Sequence, residues 1–349
     1  MKEIKLNMET YKLPNTLSGF QLKLYIHLIN WKWKHITKEP GIRSFKGKDI
    51  EYDAILPDVY HSNPPMLYGD VWKAILEHNK LYYVKKHSYF NHMASSQAAT
   101  ANLFIPILAN PKTNELLRLL KPDIKLLALK HLFHGYCLEF WDGNLSANSS
   151  LLGDHNKRSG TDSDVAIAYY NHENDLCLWL IEHKLGEAEF TSCGGYKARK
   201  KNESEHFCDH SFSDYISDHS SCYYDTVRKT SYWRITRENY ELFKNNDVSK
   251  TCPFRNGLNQ LWRNQLLGLA IEADPTLPFK HVFLSVVKHP QNDALDATIN
   301  NYIELVDSCK KFSVLTSKEF VDAAISTGNE ALRHWAHWYS DLYLNLEQN

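Results

Sequence analysis

Three side chains in this chain have the types and spacing to hold a divalent cation beside an ammonium group: Asp164, Glu182 and Lys184. They fall in the stretch Gly160–Gly186. There two apolar runs, Val165–Tyr170 and Leu176–Ile181, flank the polar tip Asn171-His172-Glu173-Asn174-Asp175. β-Branched and aromatic residues bounded by turn formers predict a β-hairpin. Asp164 opens its first strand and Glu182-His183-Lys184 closes its second. Residues two apart share a face of a strand, so Glu182 and Lys184 point one way and His183 the other. The acid and the Glu-x-Lys triplet then converge at one end of a sheet.

A few carboxylates with waters and substrate oxygens are the usual holding of Mg²⁺ or Mn²⁺. An ion so held orients a phosphate, lowers the pKa of bound water and offsets developing charge. The His183 backbone carbonyl is a further candidate ligand. Lys184 would face the attacking water or the phosphate and stabilise the transition state; a role as base would require a depressed pKa. Asp162 is the rival for the metal, but Asp164 directly abuts the apolar strand. Acid-x-Lys also occurs at Glu3-Ile4-Lys5, with no acid upstream, and at Asp123-Ile124-Lys125, where Pro122 and Asp123 read as the start of a helix. The competing interpretation of Glu182 and Lys184 is a charged strand end in water.

The acid followed by Glu182-x-Lys184 resembles the PD-(D/E)XK nuclease superfamily, the restriction-endonuclease-like fold. More narrowly, the chain is similar to a bacterial family classed as restriction endonucleases. The shared pieces are Ser95-Ser96-Gln97, Ser163-Asp164, Ile181-Glu182-His183-Lys184, Cys193-Gly194-Gly195, Cys252-Pro253-Phe254 and Arg263-Asn264-Gln265. The resemblance implies an α/β core with a mixed sheet flanked by helices, Asp164 as the metal-binding acid, and Mg²⁺-dependent DNA hydrolysis. It also implies that Gln265, on the helix after the site, orients the metal-bound water, as in the exonuclease-like branches. Ser95, Ser96 and Gln97 would lie near the site.

Net charge is −1 over 349 residues, so a nucleic-acid groove would have to be a local patch rather than a basic molecule. The first 90 residues carry 14 Lys and Arg against 9 Asp and Glu. Their aromatic–lysine runs Trp31-Lys32-Trp33-Lys34-His35 and Tyr82-Tyr83-Val84-Lys85-Lys86 are candidates to grip phosphates and stack bases. The plainer reading is a helix over Phe20–Ile36 whose lysines are solvated. No apolar run approaches the roughly 20 residues of a membrane span, and the start lacks a signal-peptide core, so a cytoplasmic protein is expected. P-loop, Gly-x-Ser-x-Gly, His-Glu-x-x-His and Gly-x-Gly-x-x-Gly motifs are absent.

The expected organisation is an aromatic and basic extension over residues 1–90, a nuclease core over 91–186 and 252–315, a Cys/His-rich insertion over 187–251, and helices over 316–349. Helices are expected over 91–108, ending at Pro106, and over Leu116–Leu120 and Ile124–Phe133. Tyr136–Trp141 reads as a strand holding the isolated acid Glu139, a further ligand candidate. After the insertion come an amphipathic helix over Asn256–Ala273, a buried strand over His281–Val287, a helix over Ala294–Lys311 and a short strand over Ser313–Thr316. A capping box at Thr316–Glu319 opens a helix over 317–326, and a last helix covers Asn329–Leu344.

Lys197, Arg199, Lys200 and Lys201 follow the catalytic strand and are candidates to meet a phosphate backbone; most such runs are solvated loops. Four of the seven cysteines, Cys193, Cys208, Cys222 and Cys252, fall in the polar stretch around the insertion, with His206, His210 and His219 among them. Four thiolates suit tetrahedral Zn²⁺ or an iron–sulfur cluster. Their spacing includes no Cys-x-x-Cys pair, and idle thiols are the alternative. Cys137, Cys177 and Cys309 read as core thiols. The functional expectation is a metal-dependent deoxyribonuclease acting in defence, alone, as a homodimer or within a larger system. A repair-type exonuclease and a non-catalytic nucleic-acid-binding protein on the same fold are the alternatives.

Overall fold

The computed structural model describes residues 2–6, 9–17, 19–45, 47–145, 150–155, 160–198, 208–306 and 311–346. Arg199, Lys200, Lys201, His206 and Cys309 lie outside them. The chain opens with two antiparallel hairpins, β1 (Lys2–Leu6) with β2 (Glu9–Leu13) and β3 (Gly41–Phe45) with β4 (Lys48–Tyr52), on either side of helix α1 (Gly19–His35). Helices α2 (Val71–His78), α3 (Ser96–Leu108) and α4 (Thr113–Leu120) follow. Then come strands β5 (Ile124–Leu127), β6 (Tyr136–Phe140), β7 (Ser163–Asn171) and β8 (Leu176–Lys184).

The segment after β8 folds into short helices: α5 (Gly194–Ala198), α6 (Phe212–Ser217), α7 (Tyr223–Thr226), α8 (Tyr232–Glu238) and α9 (Tyr240–Phe243). Helix α10 (Leu258–Ala273), strand β9 (His281–Lys288), helix α11 (Asp296–Leu305) and strand β10 (Phe312–Thr316) complete the α/β core. Helices α12 (Ser317–Ser326) and α13 (Glu330–Tyr339) close the chain.

The six-stranded mixed sheet runs β10-β9-β8-β7-β5, with β6 also on β7. β7 and β8 are antiparallel, as expected of the hairpin, while β8–β9 and β9–β10 are parallel. Alternation splits the hairpin between two cores. Val165, Ile167, Trp179 and Ile181 pack on one face with α3, α12, α13 and α1. Ala166, Ala168, Leu178 and Leu180 pack on the other with α10, α8 and residues of α6. Burial on both faces explains why β8 is apolar almost throughout.

Three expectations need correction. Ile124–Leu127 is a strand, not the start of a helix, because the edge of β7 takes it in an antiparallel pair around Tyr169–Asn171; such distant pairing overrides local periodicity. Pro106 lies inside α3 rather than ending it. Proline removes the N–H that would bond Asn102 O, and the Trp335 indole N–H donates to that oxygen instead, at 2.8 Å. The insertion is not short of apolar material: Phe212, Tyr215, Tyr232, Trp233, Ile235 and Phe243 are buried in the α10 core.

Other elements hold with adjusted ends. The Thr316 capping box is present, with Oγ1 accepting from Glu319 N and the Glu319 carboxylate accepting from Thr316 N. The helix expected over Ala294–Lys311 is α11 and ends at Leu305. Residues 1–90 and 316–349 meet directly: the Trp31 indole donates to Asp341 Oδ2 at 2.8 Å, and Leu24 and Leu28 share a core with Trp335 and Tyr339.

Candidate active site

At the ends of β6, β7 and β8 three carboxylates fall in one row. Glu139 lies between the pairs Leu138–Val165 and Phe140–Ser163, so it stands opposite Asp164. Extending the Val165–Ile181 register by one residue places Asp164 opposite Glu182. Like charges directly across a sheet repel, so the row requires protons, a lysine or a metal cation to stand. Glu139 also has φ +47°, a left-handed conformation costly for a residue with a Cβ and common at functional sites.

The surroundings divide the row. Glu182 is held from the α10 side: Gln260 Nε2 donates to Oε1 and Asn264 Nδ2 to Oε2, each at 2.7 Å. Lys184 Nζ lies 2.9 Å from Glu182 Oε1, with both side chains nearly buried. Asp164 Oδ2 accepts the His183 backbone N–H at 2.6 Å. His183 points to the opposite face, where its Nδ1 meets Thr100 Oγ1 of α3 at 2.9 Å. The alternation read from the sequence therefore holds, and His183 works as a buried anchor. Its burial pushes the imidazole pKa down to about 4.

Electrostatics follow this geometry. Burial, then the charges of Glu182 and Glu139, raise Asp164 well above the usual carboxylate range; Lys184 and the His183 N–H only partly offset them. Glu139 is pushed up to about 8 by burial and by Asp162, with a Gln97 hydrogen bond opposing the shift. Burial alone would lower Lys184, but Glu182, Glu187 and Asp164 outweigh it and raise it above the ordinary lysine value. Lys184 thus keeps its proton and serves as a fixed cation. Among the described residues, no group of three or more His, Cys, Asp or Glu side chains is placed so that it could hold a metal ion. The carboxylate row has the donor chemistry that Mg²⁺ uses when water and phosphate oxygens fill the remaining positions.

A cleft of about 880 Å³ opens beside this row. Glu139 and Asp162 lie on its core side, and Arg43, Lys85, Lys86 and His87 on the side contributed by the first 90 residues. Ser95 and Ser96 also line it, and Gln97 sits just behind, accepting the His87 N–H through Oε1 at 3.0 Å. Lys32, by contrast, is fully buried, with Nζ donating to the carbonyls of Glu39 and Asp53, and burial lowers its pKa to about 8. It is neither a solvated lysine nor a phosphate contact. Lys197 is exposed.

Gln265 is buried in α10; the amides that reach Glu182 belong to Gln260 and Asn264 instead. Their i, i+4 spacing, which puts both amides on one face of the helix, was the available signal. Residues 32–344 match the family described as restriction endonuclease associating with ARP. The chain belongs to that family. No curated protein and no solved structure matches it. The family match extends beyond the sheet into both the cleft-forming N-terminal part and the C-terminal helices. Among the described residues, no helix is long and apolar enough to cross a membrane.

Proposed function

We propose that the protein is a metal-dependent DNA endonuclease of the PD-(D/E)XK type. The observation that carries this reading is the cross-strand row Glu139–Asp164–Glu182 with Lys184 against Glu182. Such a row is electrostatically unfavourable without protons or positive charge, and a bound cation would relieve it. Asp164 and Glu182 would hold Mg²⁺ or Mn²⁺, with Glu139 as a third carboxylate and the His183 carbonyl as a further donor. When bound, the ion would supply an activated water and a counter-charge for the phosphate oxygens.

The chain's own groups do the positioning. Gln260 and Asn264 fix both oxygens of Glu182. The His183 N–H orients Asp164. Lys184 presents a permanent positive charge to the scissile phosphate, worth most in a water-poor site. Arg43, Lys85 and Lys86 give the cleft the local positive wall that a molecule of net charge −1 otherwise lacks. DNA fits as substrate because basic side chains line the cleft beside Glu139 and the family is described as restriction endonucleases. A defence role, alone or with partner proteins, follows from the same membership.

The test is incubation of purified protein with supercoiled, linear and single-stranded DNA, with Mg²⁺, with Mn²⁺ and with chelator. Metal-dependent cleavage of closed circular DNA is expected. Glu182→Gln and Lys184→Met should each reduce it by about 100-fold or more, the usual cost of losing a catalytic electrostatic contact. Cleavage unaffected by either substitution would overturn the site. Cutting restricted to DNA ends would replace the endonuclease with an exonuclease. Binding without cutting would favour a non-catalytic protein.

A further inference from the structure

Four cysteines far apart in sequence come into one neighbourhood beside the N-terminal end of α10. Cys193 N donates to Arg255 O at 3.3 Å, which sets it against the turn Cys252-Pro253-Phe254-Arg255. Asp209, next to Cys208, pairs with Arg255 at 3.8 Å. Gly194 N donates to the Tyr224 hydroxyl at 3.3 Å, and a Cβ on Gly195 would lie 2.5 Å from Tyr223 Cβ. The Cys193 loop is therefore pressed against the segment that begins at Cys222. All four sulfurs lie within electrostatic reach of the buried Tyr215, and Cys252 is within reach of the other three.

Burial raises the Cys193, Cys222 and Cys252 thiols, and nearby backbone N–H groups oppose that shift. Tyr196 N donates to Cys193 Sγ at 3.4 Å, with Gly195 N beside it. Cys222 faces the N–H groups of Tyr224 and Asp225, and Cys252 that of Phe254. In each case a sulfur faces an N–H two or three residues further on. A thiol gains little from such donors, whereas a thiolate gains much, and hydrogen bonds to sulfur are a regular second layer around thiolate metals. Arg263 lies within electrostatic reach of Cys193, Arg255 ion-pairs beside Cys208, and both offset negative charge. None of the four is joined in a disulfide. They lie within electrostatic reach of one another, but as placed no three of them form a group that could hold a metal ion.

We propose that Cys193, Cys208, Cys222 and Cys252 form a four-thiolate metal centre, of the tetrahedral zinc or iron–sulfur class, that clasps the segment between β8 and α10. The centre would fasten the Cys252-Pro253 turn from which α10 departs, and α10 carries the amides that hold Glu182. The inference stands independently of the nuclease reading, since it concerns a separate cluster.

The full chain would be purified anaerobically without chelator, for elemental and acid-labile sulfide analysis and for a visible spectrum. About one zinc per chain in colourless protein identifies a zinc centre. Iron with matching sulfide and visible absorption identifies a cluster. Cys193→Ser, Cys208→Ser, Cys222→Ser and Cys252→Ser should each lower the metal content severalfold, whereas Cys137→Ala and Cys177→Ala should leave it unchanged. Should the serine variants fail to fold, cobalt(II) exchanged into the wild-type chain should show thiolate-to-cobalt charge transfer and tetrahedral d–d bands. Folded metal-free protein that neither zinc nor cluster reconstitution stabilises would overturn the centre. So would metal retained by the serine variants, or a disulfide among the four.

Discussion

Glu139, a ligand candidate from the sequence, is the residue whose place in the candidate site the geometry defines most clearly. Its carboxyl stands across from Asp164 in a left-handed backbone conformation and is pushed up to about 8. A carboxyl whose folded pKa lies above its unfolded value of about 4.3 stabilises the fold below that unfolded value; this contribution is lost as pH rises through the folded pKa. The contribution of Glu139 should therefore be lost between roughly pH 4.5 and 8, against the opposite trend set by the buried histidines at the acid end. Glu139→Gln keeps the shape and removes the repulsion. Its metal-free form should melt a few degrees above wild type at pH 8, with little difference at pH 5. Its cleavage should fall at least tenfold, as expected when a ligand carboxylate is lost. Thermal melts in chelator at the two pH values, with cleavage assays, check both; equal melting at pH 8 would remove Glu139 from the row.

At the scale of elements, the segment from Lys85 to Ser96 links the N-terminal part to the active site. It follows α2, lines the cleft, and delivers Ser95 as the cap of α3, accepting from Ala98 N at 3.3 Å. Lys85 and Lys86 are exposed on it, and Lys86 Nζ sits 4.8 Å from the Trp72 ring centroid. Exposed lysines on a cleft wall contact phosphates rather than bases, so they add affinity without sequence preference. The double change Lys85→Ser and Lys86→Ser should weaken DNA binding about tenfold at low salt. It should also reduce the slope of log affinity against log salt by about 2. Cleavage at saturating DNA should be nearly unchanged. Fluorescence anisotropy over a salt series measures this; an unchanged slope would place the DNA elsewhere.

For the whole molecule, buried neutral histidines set the acid limit of stability. His78 is fully buried between α2 and β6, accepts the Leu138 N–H through Nε2 at 3.1 Å, and has its pKa pushed down to about 4 by burial. His289 is lowered likewise to about 4. The unfolded chain binds these protons near pH 6.5 and the folded one does not, so stability is fully present above 6.5 and falls as pH drops towards 4. Each histidine accounts for a loss on the order of 2–3 kcal/mol at most. His78→Gln should flatten the fall in melting temperature between pH 6.5 and 4.5, although the lost ring packing lowers stability at neutral pH. Denaturant midpoints across that range check it, and a parallel profile for the variant would count against His78.

The hairpin from Ser163 to Lys184, the faces of Glu182, His183 and Lys184, and the capped helix after Thr316 were legible in sequence. Each depends on local rules: alternation, turn composition and an i, i+3 capping pattern. Placing Glu139 opposite Asp164 depends on the β6–β7 register, which pairs residues about 25 apart. Local periodicity carries no information about such pairings. Ile124–Leu127 changes class for the same reason, since the open edge of β7 decides it. Lys32 reads as a solvated helix lysine until the β3–β4 hairpin and its flanks cover it and offer two carbonyls. Residue types and local spacing thus determined which groups could do chemistry. Only long-range packing decided which amides reach Glu182, which lysines stay in water and which cysteines come within electrostatic reach of one another, because those contacts join segments that the chain brings together only on folding.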